Sequence, residues 1–278
     1  MQGAGGGWVV MDKQCIVCFS GGHSSALAAI ETVRRYGKER VVLLNHDISP
    51  HVEHEDIKRF KREVADYLGL PITYANMEGW ETTPPISVAI KCKGFKAYNS
   101  PAFCTSRLKT EPFYKWLEAN GTRGDLVVYG FDAEETQRMY RRSTIMTAMG
   151  YKAVFPLAEW DRTIHRTEEI GIARPSTYQT YKHANCIGCL KAGRQHWYCV
   201  FCLRPDIWQE AKEAEDTIGY TIIKGVRLVD LEPKFLEMRY KLHIIPTDKT
   251  NSARFWADVR KAIPDDEPEN LPCDCAVD

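Results

Sequence analysis

Short, unbroken apolar runs that alternate with longer amphipathic stretches limit most strongly what this chain can become. Gln14–Phe19, Val41–Asn45 (VVLLN), Pro71–Ala75, Leu126–Gly130 (LVVYG) and Ala153–Pro156 read as strands. VVLLN and LVVY lack the polar–apolar alternation of a sheet with one wet face, so both faces must be covered. Ser25–Tyr36, Glu53–Leu68, Glu111–Glu118 and Glu134–Met149 carry helical spacing between them. A strand–helix–strand connection returns the chain parallel to itself and lays the helix on the sheet. The pattern predicts an α/β fold, a Rossmann-like parallel sheet with helices on both faces.

The segment Trp80–Arg107, rich in Pro and Lys, interrupts the alternation, and after Thr177 the pattern changes altogether. A Cys/His/Tyr-rich block follows, then helical stretches at Pro205–Ile218, Pro233–Leu242 and Asn251–Ala262. The expected organisation is a flexible Gly-rich tail (1–13), the α/β domain (14–176), a Cys-rich helical extension packed against the sheet (177–263), and an acidic, Pro-rich tail (264–278).

Thirty-seven basic residues balance 37 acidic ones, so the chain lacks the net charge of a dedicated nucleic-acid binder; a local basic groove remains compatible. No apolar run approaches the roughly 18 residues of a membrane span. The first ten residues lack a basic n-region and a cleavage pattern, so a cytoplasmic protein without a membrane partner is expected.

In that compartment ten clustered cysteines point to ligation instead of disulfides. Cys15 and Cys18 lie in a strand pattern, where free cysteine serves as a small hydrophobe. Cys186-Ile-Gly-Cys189 and Cys199-Val-Phe-Cys202 form two C-x2-C pairs nine residues apart. These four thiolates alone could build a tetrahedral zinc ribbon, for which the gap is short. His183 and His196 flank the pairs in supporting positions. Lys191, Arg194, His196, Trp197 and Tyr198 make a basic–aromatic patch, read either as a loop covering the metal or as a surface that stacks a base.

Gln14–Phe19 ends at Ser20-Gly21-Gly22-His23-Ser24-Ser25, and a helix begins at once. Glycines permit close backbone approach, and a helix N-terminus offers unpaired N–H groups to an anion. The Walker spacing and its lysine are missing, so an ordinary turn with a serine cap competes with the phosphate-cradle reading. On the helix after Gly130, Glu135, Arg138, Arg141 and Arg142 share a face. Arginines there suit bidentate phosphate or sulfate contacts, or Arg138 pairs with Glu135 on a solvated face.

Four motifs in order resemble the phosphoadenosine phosphosulfate (PAPS) reductase-like branch of the PP-loop ATP pyrophosphatases, over about Gln14 to Glu215. They are Phe19–Ser25; Pro101-x-x-Cys104-Thr105-x-x-Leu108-Lys109-x-x-Pro112; Gly130-x-x-Ala133-x-Glu135-x-x-Arg138; and Asn185-Cys186-Ile187-Gly188-Cys189, the last close to the block of phage-borne members. The resemblance implies that Phe19, Ser20, Gly21, Gly22, His23, Ser24 and Ser25 bind phosphates of ATP, with Mg, or of an adenylyl sulfate. Asn45 and Asp47 would lie near adenine and ribose, Gly130 beneath the nucleotide, and Arg138 against an anionic group. It further implies a [4Fe–4S] cluster on Cys104, Cys186 and Cys189, with Cys199 or Cys202 as fourth ligand; zinc is the alternative.

Three functions follow from that resemblance. ATP could activate an oxygen of a nucleic acid or small molecule by adenylation, so that a sulfur donor replaces it. A thiol could instead attack the sulfur of an adenylyl sulfate. A third reading is an accessory subunit of a DNA-modification system that binds nucleotide without turnover. Ser24 and Asp132 stand where many relatives carry Asp and Arg, which suits the third. The absence of a reductase tail motif favours the first; Cys273 and Cys275 occupy that region instead.

Overall fold

The computed structural model describes residues 13–97, 100–184 and 186–262. The two expected tails, with Cys273 and Cys275, lie outside the described residues, as does Asn185. Strands β1 (Cys15–Cys18), β2 (Val41–Asn45), β3 (Ile72–Tyr74), β4 (Leu126–Val128) and β5 (Lys152–Val154) form one parallel sheet in the order β3-β2-β1-β4-β5. Central β1 pairs with β2 and β4, Cys15 standing opposite both Val41 and Leu126. This is the α/β architecture that the apolar runs predict.

Both faces of the sheet are covered, and β1 divides its side chains between them. Cys15 and Val17 enter one core with α1 (His23–Tyr36) and α2 (Glu55–Leu68), where Ala26, Ile30, Phe60 and Val64 meet them. Ile16 enters the opposite core with Phe113 and Leu117 of α5 (Glu111–Asn120) and Met146 of α6 (Thr136–Ala148). Successive strand residues point to opposite faces, so a four-residue apolar strand seeds two cores at once. The sequence order reverses between β1 and β4, and the ends of these two strands form the crevice where open α/β sheets bind ligands.

The interrupting segment holds a short helix, α3 (Pro85–Lys91), and then α4 (Phe103–Thr105), which runs through a π turn at Ser106–Thr110 into α5. A one-turn helix, α7 (Pro156–Glu159), follows β5. The extension supplies α8 (Arg194–Leu203), α9 (Pro205–Ile218), α10 (Leu228–Leu236) and α11 (Ser252–Ala262). Helix α10 starts a turn earlier than Pro233 suggests, because Leu228, Leu231 and Phe235 form one buried stripe that outweighs the interior proline. The extension does not lie on a sheet face as expected. Trp197, Tyr198, Trp208, Phe235 and Phe255 form a core of their own, joined by Ile86 and Ala89 of α3 and by Ile48 and Val52 after β2. Among the described residues no helix is long and apolar enough to cross a membrane.

Candidate functional site

The glycine loop lies in the crevice between β1 and β4, shaped by close backbone approach and braced by side chains. Buried Phe19 donates its N–H to Leu44 O at 2.8 Å, and the Asn45 amide donates to Phe19 O. Asn45 is 3% exposed, and its side chain braces the loop. Gly21 has φ +82, where a side chain is strained, and a Cβ there would stand 2.8 Å from the stem of Lys61. Gly130, at the end of β4, sits against the first turn of α1. A Cβ at Gly130 would meet Ser24 O at 2.7 Å and Ser25 N at 2.8 Å. Only glycine allows the two backbones to approach so closely.

Helix α1 is entered from Gly22 without a side-chain cap, so the expected serine N-cap is absent. Ser25 Oγ instead donates to Gly22 O at 2.8 Å and accepts from Ser20 Oγ at 3.2 Å. Ser20 and Ser24 are exposed. The loop is partly roofed from the extension side: Tyr178 Oη accepts the His23 N–H at 3.0 Å, and Ala184 packs over Gly22. His23 Nε2 accepts from Thr167 N at 3.3 Å, and burial, with Arg174 adding, holds its pKa below the usual histidine value. His23 is thus a neutral wall of the loop, not a cation for phosphate.

At the end of β2, Asp47 accepts from Lys58 Nζ at 2.7 Å and exchanges two hydrogen bonds with Asn76, which makes it a paired turn acid. Arg138 is exposed, pairs with Glu135 and lies 4.2 Å over the Phe131 ring. Asp132 pairs with Arg162.

The five candidate ligand cysteines divide into two groups. Burial raises the Cys104 thiol to about 12, with Cys189 and Cys186 adding and Lys109 opposing. Cys186 is raised by burial and opposed chiefly by Lys109, whose own ammonium is raised first by Cys186 and then by Cys189, Cys104 and Glu53. Cys104, Cys186, Cys189 and Lys109 therefore lie within electrostatic reach of one another. Cys199 and Cys202 are not among them. They are buried on α8, where burial raises both thiols and their charged neighbours are Asp248 and Arg239. On α8, Cys202 packs into the aromatic core, and Cys199 is buried on the same helix beside Asp248. Among the described residues no group of three His, Cys, Asp or Glu side chains is arranged around a single metal ion.

The same helix corrects the basic–aromatic patch. Trp197 and Tyr198 are fully buried and His196 is nearly so; they neither cover a cluster as a loop nor offer a surface to a base. His196 shapes the first C-x2-C turn. Its Nε2 accepts from Gly188 N at 3.2 Å and Cys189 N at 3.3 Å, while Nδ1 donates to Asp248 at 3.0 Å. Ile187 N bonds to Val52 O at 2.9 Å, tying that turn to the segment leading into α2.

Sequence reasoning missed the seam between loop and thiols. Glu53 accepts from Lys61 through both oxygens at 3.0 and 2.9 Å, and Lys61 is 1% exposed beneath Gly21. A lysine on the apolar stripe of Ile57, Phe60, Val64 and Leu68 was the available signal. Tyr178 and Asp248 left none, because loops remote in sequence deliver them.

No protein-family model matches the chain. It is similar to an "Uncharacterized nin region protein ORF290" of Escherichia phage lambda, 28% identical over 207 residues that cover 65% of this chain and 67% of that protein. The phage protein's description carries no activity, so the geometry must carry the functional reading.

Proposed function

We propose that the protein is an adenine-nucleotide-binding enzyme that activates a substrate oxygen with ATP, in the manner of an ATP pyrophosphatase, and couples this to sulfur transfer. The carrying observation is the close contact of Gly130 with the Ser24–Ser25 peptide at the switch point of the sheet. It presents the first turn of α1 to an anion, where backbone N–H groups and the helix dipole favour phosphate. The acceptor oxygen would attack the α-phosphate, pyrophosphate would leave, and sulfur from a donor would then displace AMP. In this reading the chain binds the triphosphate with Gly21, Gly22, Ser20 and Ser24, and Tyr178 limits water above the loop.

Cys104, Cys186 and Cys189 would hold an iron–sulfur cluster. Thiolates are the soft ligands that such a cluster needs, each binding a different iron. A bound cluster supplies a thiophilic iron. The Lys109 ammonium offsets the charge of the thiolates, and His196 fixes the turn that carries two of them.

Calorimetry with Mg-ATP tests the reading. Wild type should bind, and a folded Gly21→Val protein should not; equal affinity in the two sinks it. Iron analysis after anaerobic purification tests the thiol assignment. Cys104→Ser, Cys186→Ser and Cys189→Ser should lose iron, while Cys199→Ser and Cys202→Ser keep it.

A further inference from the structure

The fold explains the glycines at positions 21 and 130 but not the one between them. Gly21 needs its positive φ, and Gly130 needs its close approach to the Ser24–Ser25 peptide. Gly22 has φ −84 and ψ 157, extended backbone that any residue adopts. A Cβ there would meet Tyr178 Oη at 3.5 Å, Ser20 Oγ at 3.7 Å and Ala184 Cβ at 3.8 Å, all ordinary contact distances. An alanine would therefore fit, and a serine or asparagine could also cap α1. Glycine instead leaves a notch at the first turn of α1 that the protein does not fill. Two hydroxyls and a methyl group wall it.

Tyr178 reaches the notch from outside the loop, on the short turn Ser176–Gln179. That turn is pinned on both sides. Asp56, in the first turn of α2, accepts the Ser176 N–H at 2.6 Å, and Arg59 donates to Ala173 O at 3.0 Å. Tyr181 N bonds back to Thr177 O at 2.8 Å, and Asp248 accepts the Lys182 N–H at 2.7 Å. Held there, the partly exposed Tyr178 accepts the first N–H of α1, that of His23, at 3.0 Å. Its own proton has no acceptor among the described residues. A hydroxyl that accepts from a peptide N–H is polarised and donates more strongly. Tyr178 thus carries the positive end of the helix outward to the notch.

We infer that Tyr178 is a phosphate-binding residue, whose hydroxyl donates to an oxygen of the nucleotide's phosphate chain seated at Gly22. The inference rests on the nucleotide reading above and adds to it a side chain remote from the loop in sequence. The strap from Ala173 to Ala184 is then part of the binding site and not only a cover over it.

The test is calorimetry on the full-length protein with Mg-ATP, and competition of inorganic pyrophosphate against it, with urea midpoints measured in parallel. Tyr178→Phe keeps the ring and should keep the wild-type midpoint, yet weaken both ligands by about tenfold or more, as loss of a hydrogen bond to a charged group does. Gly22→Ala should also keep the midpoint and lose both ligands, because its methyl group fills the notch. A Tyr178→Phe protein that binds Mg-ATP as tightly as wild type, or more tightly, would show that the ligand merely pushes the tyrosine aside. That result overturns the inference, as does a loss with Mg-ATP but not with pyrophosphate, pyrophosphate that does not compete on wild type, or unchanged binding in folded Gly22→Ala. Each leaves the nucleotide reading standing. Wild-type protein that does not bind Mg-ATP would remove both.

Discussion

The glycine loop and the C-x2-C turn meet across the segment leading into α2, yet different forces hold them. Close backbone approach sets the path of the loop, Gly130 against the Ser24–Ser25 peptide and Phe19 in the ladder with Leu44, while Asn45, Ser25 and Tyr178 brace it. Side chains shape the thiol turn, with His196 accepting two of its N–H groups and Asp248 holding His196. A loop built from backbone depends on small residues being absent of bulk. A turn built from side chains depends on partners remote in sequence. The two should therefore fail separately, except where Glu53 joins them.

Glu53 gives the largest expected effect. Glu53→Ala leaves the Lys61 ammonium buried without its carboxylate and should cost about 3–5 kcal/mol in urea unfolding. Replacing both partners, Glu53→Leu with Lys61→Met, should recover most of the loss. Because Lys61 underlies Gly21 and Glu53 acts on Lys109, the single variant should weaken ATP binding and also change thiol alkylation. A response in only one region would break the idea of a shared seam.

Gly130→Ala should act on the loop alone. Its Cβ meets backbone atoms that cannot turn aside, a cost of about 1–3 kcal/mol, with reduced ATP affinity and unchanged alkylation of Cys186 and Cys189. His196→Phe should act on the thiol turn alone. It strands two N–H groups, a cost of about 1–3 kcal/mol. Alkylation of Cys189 should quicken while ATP affinity stays at its wild-type value.

The smallest effect separates β1 from both regions. Burial raises Cys15 to about 11 and Cys18 to about 12 from 9.0, with nearby Arg40 and Arg142 opposing. Thiols raised in the folded state contribute stability that is fully present below pH 9 and lost as pH rises towards those values. The urea midpoint should fall between about pH 9 and 11, and Cys15→Ala should flatten the decline. A pH-independent midpoint would show that these thiols are not desolvated in solution.

Much of the α/β half was legible in the chain. Val41–Asn45 is a strand with the bounds that its apolar run suggests, and Pro205–Ile218 is a helix with the bounds set by Pro205 and Gly219. Helix α8 was not legible, because cysteines and histidine within Arg194–Leu203 read as ligands when their aromatic neighbours on α9, α10 and α11 are unknown. Among the cysteines, spacing linked Cys186 to Cys189, and a family resemblance brought in Cys104. Spacing could not reveal that Cys202 turns into the aromatic core.

What the sequence determined by itself is local: the apolar strands that demand two cores, the Ser-Gly-Gly turn, and the glycine that ends β4. Each follows from the residues within a few positions, since backbone freedom and periodicity are short-range properties. The tertiary structure decided which side chains meet: Lys61 with Glu53, Tyr178 over His23, and Asp248 on His196. Those pairings join segments far apart in the chain, and only packing into one fold sets their distances, their burial and hence their charge.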